Sequence, residues 1–304
     1  MGKSSQLDLQ FAKAMRDHPY GVAMYRPPRS TVLRLGTVGY FDDFGAWNII
    51  VDLTNAKDLA SKGLGPMNAA EIEAAPVDNA IKWGPILSTS TQSSKVSFSG
   101  GVAPAPGIPV NASAVYSYSN SGDTGAILLT SPPVRHERFY HTSPFKEWMK
   151  NNAMKILKKY PDEMKQHGVW IITSTHTTDK CSILMWREQQ KKFNVGFSAD
   201  VSGAGSIKPD LEWYGANTDE GWGEYTADGE DRPVVFFGGL RFTTNSWYNP
   251  KKGVNLMNGF AAMSFRMGYD PDAVIKERIA SMTDPDDEDQ EIRFDAEENT
   301  WNIN

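Results

Sequence analysis

The sequence predicts an α+β fold: antiparallel strands with flanking helices, and a short helical segment at the C-terminal end. Three observations predict it. Strand-like runs cluster at 32–53, 86–130 and 169–205, each with the look of a hairpin. Helical periodicity falls outside those runs, at 5–17 and 143–160. Strands and helices come in blocks rather than in βαβ alternation. The 304 residues are 40% hydrophobic and 22% charged, enough for a sizeable core and against global disorder. Two units are expected, residues 1–245 and an appendage of residues 246–304.

Residues 5–17 read as an amphipathic helix. Leu7, Phe11, Ala14 and Met15 share a face, Lys13 and Arg16 lie opposite, and Pro19 ends the pattern. Such a helix either docks on a core with a solvated basic face or lies on a membrane surface. In 32–53, Val38 to Phe41 and Trp47 to Leu53 are apolar runs around a turn at Asp42-Asp43-Phe44-Gly45. From Trp83 to Val134, 52 residues hold two charges, Lys95 and Asp123. Soluble edge strands usually carry more, because charge discourages sheet-to-sheet aggregation. A break at Gly100 to Pro109 separates the two arms of this candidate hairpin.

The clearest helix spans 143–160, with Ser143 as cap and Pro144 in the first turn. Phe145, Trp148, Met149, Ala153, Ile156 and Tyr160 form its apolar face, and Lys146, Lys150, Lys155, Lys158 and Lys159 occupy the rest. Residues 135–192 carry 12 Lys or Arg against six Asp or Glu, net +6 inside a chain of net -6. The second long hairpin starts at Val169, turns at a charged tip, Arg187 to Lys192, and returns through Val195, Phe197, Ala199 and Val201. Residues 203–232 read as a loop and Val234 to Leu240 as a core strand. Trp247 to Gly253 reads as an exposed linker. Helical segments are expected at about 254–267 and 271–282. The last stretch, 283–304, holds nine Asp or Glu and one Arg, the composition of a disordered or partner-binding tail.

Composition excludes several classes. A net charge of -6 argues against a whole-protein nucleic-acid footprint. One cysteine, Cys181, gives no intrachain disulfide and no cysteine-based zinc site. There is no run of about 18 apolar residues and no apolar signal core in Met1 to Gln10, so the chain reads as cytosolic. The myristoylation pattern wants Ser or Thr where Gln6 stands. The five histidines lack metal spacing, no G-x-S-x-G elbow or P-loop occurs, and Gly203-Ala204-Gly205 lacks a third glycine. No catalytic residue, metal or cofactor is assigned, and the chain is not expected to be an enzyme.

What remains is physical. Two long hairpin candidates flank a basic helix, an amphipathic basic helix precedes them, and an acidic appendage follows. A membrane β-strand needs roughly 9–11 residues with alternating faces and must close into a barrel. One chain supplies four such strands, so closure requires many protomers. Val96, Phe98, Val115, Phe197 and Val201 are the candidate inserting residues. Lys13, Arg16 and the five helix lysines are the candidates for acidic headgroups, each worth about 1 kcal/mol near an anionic surface. The competing reading is a β-rich binding protein, lectin-like or scaffold, whose hairpins are permanent sheet strands.

Gly168 to Ile183, with its aromatic–aliphatic–Thr strand after a basic helix, resembles the start of the second membrane hairpin of the gasdermin pore-forming domain. Leu33 to Asn48 is similar to the N-terminal hairpin of the fungal gasdermin-like regulators of cell death and allorecognition, and Val235 to Leu240 to their late core strand. The likeness covers about 1–245. It implies a twisted antiparallel sheet with flanking helices in a cytoplasmic protein. That protein binds acidic phospholipids, oligomerises with itself or a related variant, and extends two hairpins into a barrel at the plasma membrane in lytic cell death. Mammalian members carry a large helical inhibitory domain, whereas here only about 55 residues follow the linker. In some fungal relatives a short segment does this and a subtilisin-like protease removes it, while others are triggered by an incompatible variant partner; the first route would make Phe242, Trp247 and Tyr248 the cleavage region.

Overall fold

The computed structural model describes residues 3–97, 108–109, 112–188, 191–198, 212–215, 221–249, 254–265, 274–284 and 287–299, with the backbone alone for residues 3–6, for residue 69 and from residue 243 onward. The N-terminal third contains α1 (Lys3–Ala14), β1 (Val22–Ala23), β2 (Thr37–Phe41), β3 (Trp47–Asp52) and α2 (Ala56–Ser61). Short strands β4 (Asp78–Ile81), β5 (Ile86–Leu87) and β6 (Thr91–Lys95) follow, then β7 (Ala114–Asn120), β8 (Gly125–Thr130) and β9 (Val134–Arg138). Helices α3 (Ser143–Lys159) and α4 (Pro161–His167) lead to β10 (Val169–Thr177), β11 (Lys180–Trp186), β12 (Lys192–Phe197), β13 (Trp213–Gly215) and β14 (Gly223–Thr226). The chain then runs through β15 (Val234–Asn249), β16 (Val254–Phe265), β17 (Val274–Asp284) and β18 (Asp287–Asn299). Helix and mostly antiparallel sheet coexist, so the α+β expectation holds at that level.

A large sheet runs β17-β18-β16-β15-β10-β2-β3, with β1 on β15, β9 on β10 and β4 on β9. Strand β10 is buried nearly throughout, as a central strand must be, and its run Val169 to Ile172 is apolar without alternation. Helix α3 lies on one face, where Phe145, Trp148, Met149 and Ile156 pack with Val38, Val51, Ile171 and Leu240. Asn152 fixes it to the loop before β4: its Oδ1 accepts from Gly65 N at 2.6 Å, and Trp148 Nε1 donates to Gly65 O at 2.9 Å. The opposite face carries Trp170, Ile172 and Phe237, covered by Met24, Leu33 and Trp47.

The other two sheets are one object. Strand order is β14-β11-β8-β5 in one and β13-β12-β7-β6 in the other. Four arms, β5–β6, β7–β8, β11–β12 and β13–β14, therefore lie in the same order in both layers, as a four-stranded ribbon folded over between them. Along β11, Cys181 and Ile183 point one way, toward α1, Trp83 and Leu128, while Leu184 and Trp186 point the other way, toward Tyr118, Phe193 and Phe197. Helix α1 and its neighbours cover the first of these faces, and folding the ribbon double covers the second.

Several expectations are corrected. The charged stretch from Arg187 is the corner of the third arm, not a hairpin tip, because both faces of β11 are apolar and need the second layer. The second hairpin begins at β11 rather than at Val169, since β10 is committed to the large sheet. The 203–232 loop includes β13 and β14. Thr142, not Ser143, is the N-cap of α3. A fourth helix, α4, follows at Pro161, with acidic residues in its first turn and Gly168 at φ 69 beyond its end. The helices expected at 254–267 and 271–282 are strands β16 and β17. Gly259, Asn255 and Asn258 weaken a helix there, and pairing with the edge of β15 from Gly239 onward satisfies the backbone instead. The acidic stretch expected as a disordered tail contains β18, paired with β17 and with β16.

Where β10 leaves the large sheet, His136 and His176 stack at 4.1 Å with a 5° interplanar angle. His176 is 3% exposed, sits among Tyr20, Trp83 and Phe236, and its Nδ1 has no partner. Burial, and then the neighbouring His136, push its pKa down to about 3. Burial and then Arg138 lower that of His136, against the pull of Asp78. Both rings are neutral in the fold. The unfolded chain takes up their protons below its ordinary value of about 6.5, so this stability is complete above that pH and is lost as pH falls toward the folded values. Unfolding free energy by urea titration should drop by about 1–2 kcal/mol between about pH 7.5 and about pH 5.5. A His176→Phe chain should show a visibly flatter profile over the same interval.

Candidate functional site

The candidate lysines follow from the geometry of α3. Its apolar residues recur every three to four positions and turn inward, which leaves lysines on the remaining arc. Lys155, Lys158 and Lys159 are exposed, and Lys146 and Lys150 are half-buried. Lys158 and Lys159 occupy the last turn, where the helix dipole favours cations. Lys150 Nζ lies 3.4 Å from Glu147 Oε2, and Lys159 Nζ lies 5.8 Å from the Tyr160 ring centre. Lys13 and Arg16 are exposed at the end of α1, with Phe11 and Met15 fully buried on its other side. Arg16 is 3.7 Å from Asp17, and both are exposed. The two basic groups rest on different clusters, α1 against β8 and β11 and α3 against the large sheet.

The candidate inserting residues divide. Phe197 is paired with Ala114 and packs between the ribbon's two layers. Val115 is paired with Gly196 and faces the other way, where Val96, Ile108 and Ala112 meet it. Register therefore puts Phe197 and Val115 on opposite faces. With these pairings kept, the pair Val96 and Val115 and the residue Phe197 cannot all meet lipid. Phe98 and Val201 lie outside the described residues. In the expected cleavage region, Phe242 is 1% exposed in the core under α3, and Trp247 and Tyr248 lie in β15, paired with Leu256 and Asn255. The linker expected there is thus strand as far as Asn249, and proteolysis would require local opening.

Hydroxyl groups line the first corner. Ser88 Oγ and Thr91 Oγ1 lie 2.8 Å apart, and both accept from Ala126 N at 3.1 Å. Ser90 Oγ donates to Thr124 O at 2.5 Å, and Ser121 N donates to Ser90 O at 2.9 Å. Gly125 is required beside it, because a Cβ there would meet the Trp186 ring at 2.5 Å. The end of α1 is tied to this bend: Thr89 donates to Asp17, and a hydrogen bond of 2.7 Å joins His18 Nε2 to Leu87 O. Gln10, on the same helix, accepts from Arg187 at the third arm's corner. Helix α1 thus touches the bends of both hairpins.

Composition did not reveal a second patch beside α1. Phe44 is 68% exposed in the β2–β3 turn, and Leu9 is 54% exposed on α1. Arg26 holds these elements together, pairing with Asp8 and donating to Phe44 O. Burial opposes ionisation of Asp42 in this turn, but bonds from Ala46 N, the Asn48 amide and Phe44 N outweigh it and hold its pKa below the ordinary value. Gly45, at φ 76, leaves no room for a Cβ beside Asp8. An aromatic residue between Asp43 and a turn glycine was the available signal.

Among the described residues no cluster could hold a metal ion, and no helix is long and apolar enough to cross a membrane. Cys181 is buried, and burial raises its thiol pKa to about 12, which suits a packed side chain and not a nucleophile. The chain matches no protein-family model, and a search of curated proteins finds no significant match.

Charge reversal on α3 tests whether these lysines are surface groups with little structural duty. Changing Lys155, Lys158 and Lys159 together to Glu should alter unfolding free energy by no more than about 1 kcal/mol. A loss several times larger, read by urea denaturation, would place them in the structural framework instead.

Proposed function

We propose that this chain is a membrane pore-forming protein of the gasdermin-like kind. It binds acidic phospholipids, oligomerises with copies of itself or a related variant, and lines a β-barrel with its two hairpins to execute lytic cell death. The observation that supports this reading is the folded ribbon. Its arms span residues 86–95, 114–130, 180–197 and 213–226, each at least the roughly 9–11 residues a membrane strand needs. Straightening the corner would lengthen all four without changing which arm pairs with which. The first two arms carry only Lys95 and Asp123, whereas the third carries Lys180, Arg187, Glu188, Lys191 and Lys192 and the fourth Asp219, Glu220 and Glu224, so low charge supports insertion of the first hairpin and not of the second.

Lysine contacts supply the first step. Replacing Lys146, Lys150, Lys155, Lys158 and Lys159 by Glu removes about 1 kcal/mol of surface attraction per site and adds repulsion. Sedimentation with phosphatidylserine or cardiolipin vesicles should fall to background. Unchanged binding at physiological salt would remove α3 from the membrane surface.

A charge at Phe197 is a poor probe of insertion. Phe197 is 1% exposed in the compact form, so Phe197→Asp would cost about 3–5 kcal/mol before any membrane is met. The contact between the end of α1 and the first corner offers a cleaner one. Asp17 and Thr89 touch, and Cys181 is buried and inert, so D17C with T89C should form a bond between α1 and the first corner. Oxidised protein should bind vesicles yet release no dye, and reduction should restore leakage. Equal leakage from both forms would mean that release of α1 from the first corner is no part of pore formation.

The appendage is the proposed restraint. Residues 284–298 carry net -8, opposite in sign to the basic 135–192 section. Strand β16 sits on the edge of β15, so proteolytic opening near Thr243 to Lys252 would release that edge. A chain ending at Asn245 should be more toxic in cells and leak vesicles faster than full length. A quiet but folded truncated chain would assign the appendage another role.

A further inference from the structure

On the face of the large sheet away from α3, a cavity of about 190 Å³ opens between α1, the β2–β3 turn and the end of α4. Leu9, Val22, Met24, Phe41, Trp170 and Phe237 supply its apolar wall. Arg241, from β15, supplies the cation. The guanidinium is largely buried, its Nε has no hydrogen-bond partner, and Nη2 donates only a long bond of 3.3 Å to His167 O. Its central carbon lies 5.8 Å from the Trp170 ring centre. Among the described residues no carboxylate forms an ion pair with it, and burial alone lowers its pKa.

The three carboxylates on the cavity's rim are engaged elsewhere. Asp8 pairs with Arg26. Asp42 accepts from Phe44 N, Ala46 N and Asn48, and Asp43 accepts from Gln166 Nε2 at 2.9 Å. A buried cation without a counter-charge is costly, and a fold tolerates it where something else completes the pair. An anion would be drawn to the Arg241 end and repelled from the aspartate rim, which fixes its orientation. An apolar chamber of about 150 Å³ already admits a benzene-sized molecule, and ligand sites are mostly apolar with a few convergent polar groups.

We propose that this cavity binds a small single-chain anionic amphiphile, its head group on Arg241 and its tail among Met24, Phe41 and Phe237. The site is independent of the pore reading, since nothing in it requires the ribbon to open. The shared chemistry is a carboxylate or phosphate monoester on a short alkyl chain.

Calorimetric titration of the full chain with octanoate, octyl phosphate, octanol and octylammonium, all below micelle formation, tests it. At least one anion should bind about tenfold or more tighter than octanol and octylammonium, as expected for a charge-assisted pair to a desolvated arginine. Whichever of octanoate and octyl phosphate binds tighter names the head group. Arg241→Gln should erase the preference for the anion, and Met24→Trp should block the chamber to anion and alcohol alike. If Arg241→Gln does not fold, salt serves on the unaltered chain, where high salt should weaken the anion and not octanol. Equal affinity for octanol and both anions, an anion preference that survives Arg241→Gln, or no binding of either anion would each overturn the proposal.

Discussion

The layer formed by β8 and β11 has two apolar faces, and the rest of the molecule is arranged to cover both. One face, with Leu128, Cys181 and Ile183, is closed by Phe11 of α1, by Met15 just beyond its end, and by Trp83 and Phe236. The other, with Leu129, Leu184 and Trp186, is closed by the second half of the same ribbon. Among the described residues nothing else supplies that second cover. The ribbon must therefore bend, the bend needs polar groups to satisfy its backbone, and the hydroxyls of Ser88, Ser90 and Thr91 provide them.

The magnitudes around α1 bear on the proposed function. Burying Phe11 and Met15 contributes about 1.5–3 kcal/mol each, while surface ties such as Arg187 to Gln10 add little. Lifting α1 thus costs several kcal/mol. That is comparable to what five to seven lysine or arginine contacts gain at an anionic surface, at about 1 kcal/mol each. Because those basic residues are largely exposed in the compact form already, their contacts hold the closed molecule on the membrane, and under this reading the cost of lifting α1 is met by what the opened ribbon gains in the bilayer.

Local patterns carried much of the fold into the sequence. The 3.6-residue period of Phe145, Trp148, Met149 and Ile156 marked α3 to within a residue, and the Asp42 to Gly45 turn marked the first hairpin. The corner was hidden because its cause is non-local: β11 alone shows an apolar run, and only pairing with β8 reveals that both faces need cover. The same blindness turned β16 and β17 into helices, since pairing of β16 on β15 and of β17 on β18 overrides weak helical spacing. The lysines of the candidate site were legible as the polar remainder of a helix. Phe44, Leu9 and the Arg241 cavity were not, because exposure and missing partners are properties of assembled surfaces.

The pairing of β1 with β15, Val22 with Phe237 and Ala23 with Phe236, joins positions more than two hundred residues apart. During synthesis the partners of α1 on β15, Val235 and Phe236, emerge from the ribosome only after both hairpins have been made. The nascent chain therefore carries both hairpins before the helix that ties their bends can settle. Contacts this distant in sequence form slowly, and exposed strand edges invite association with other chains. Newly made molecules pass through a window in which they most resemble the opened form, and how long that window lasts depends on how quickly the first twenty residues find the last core strand.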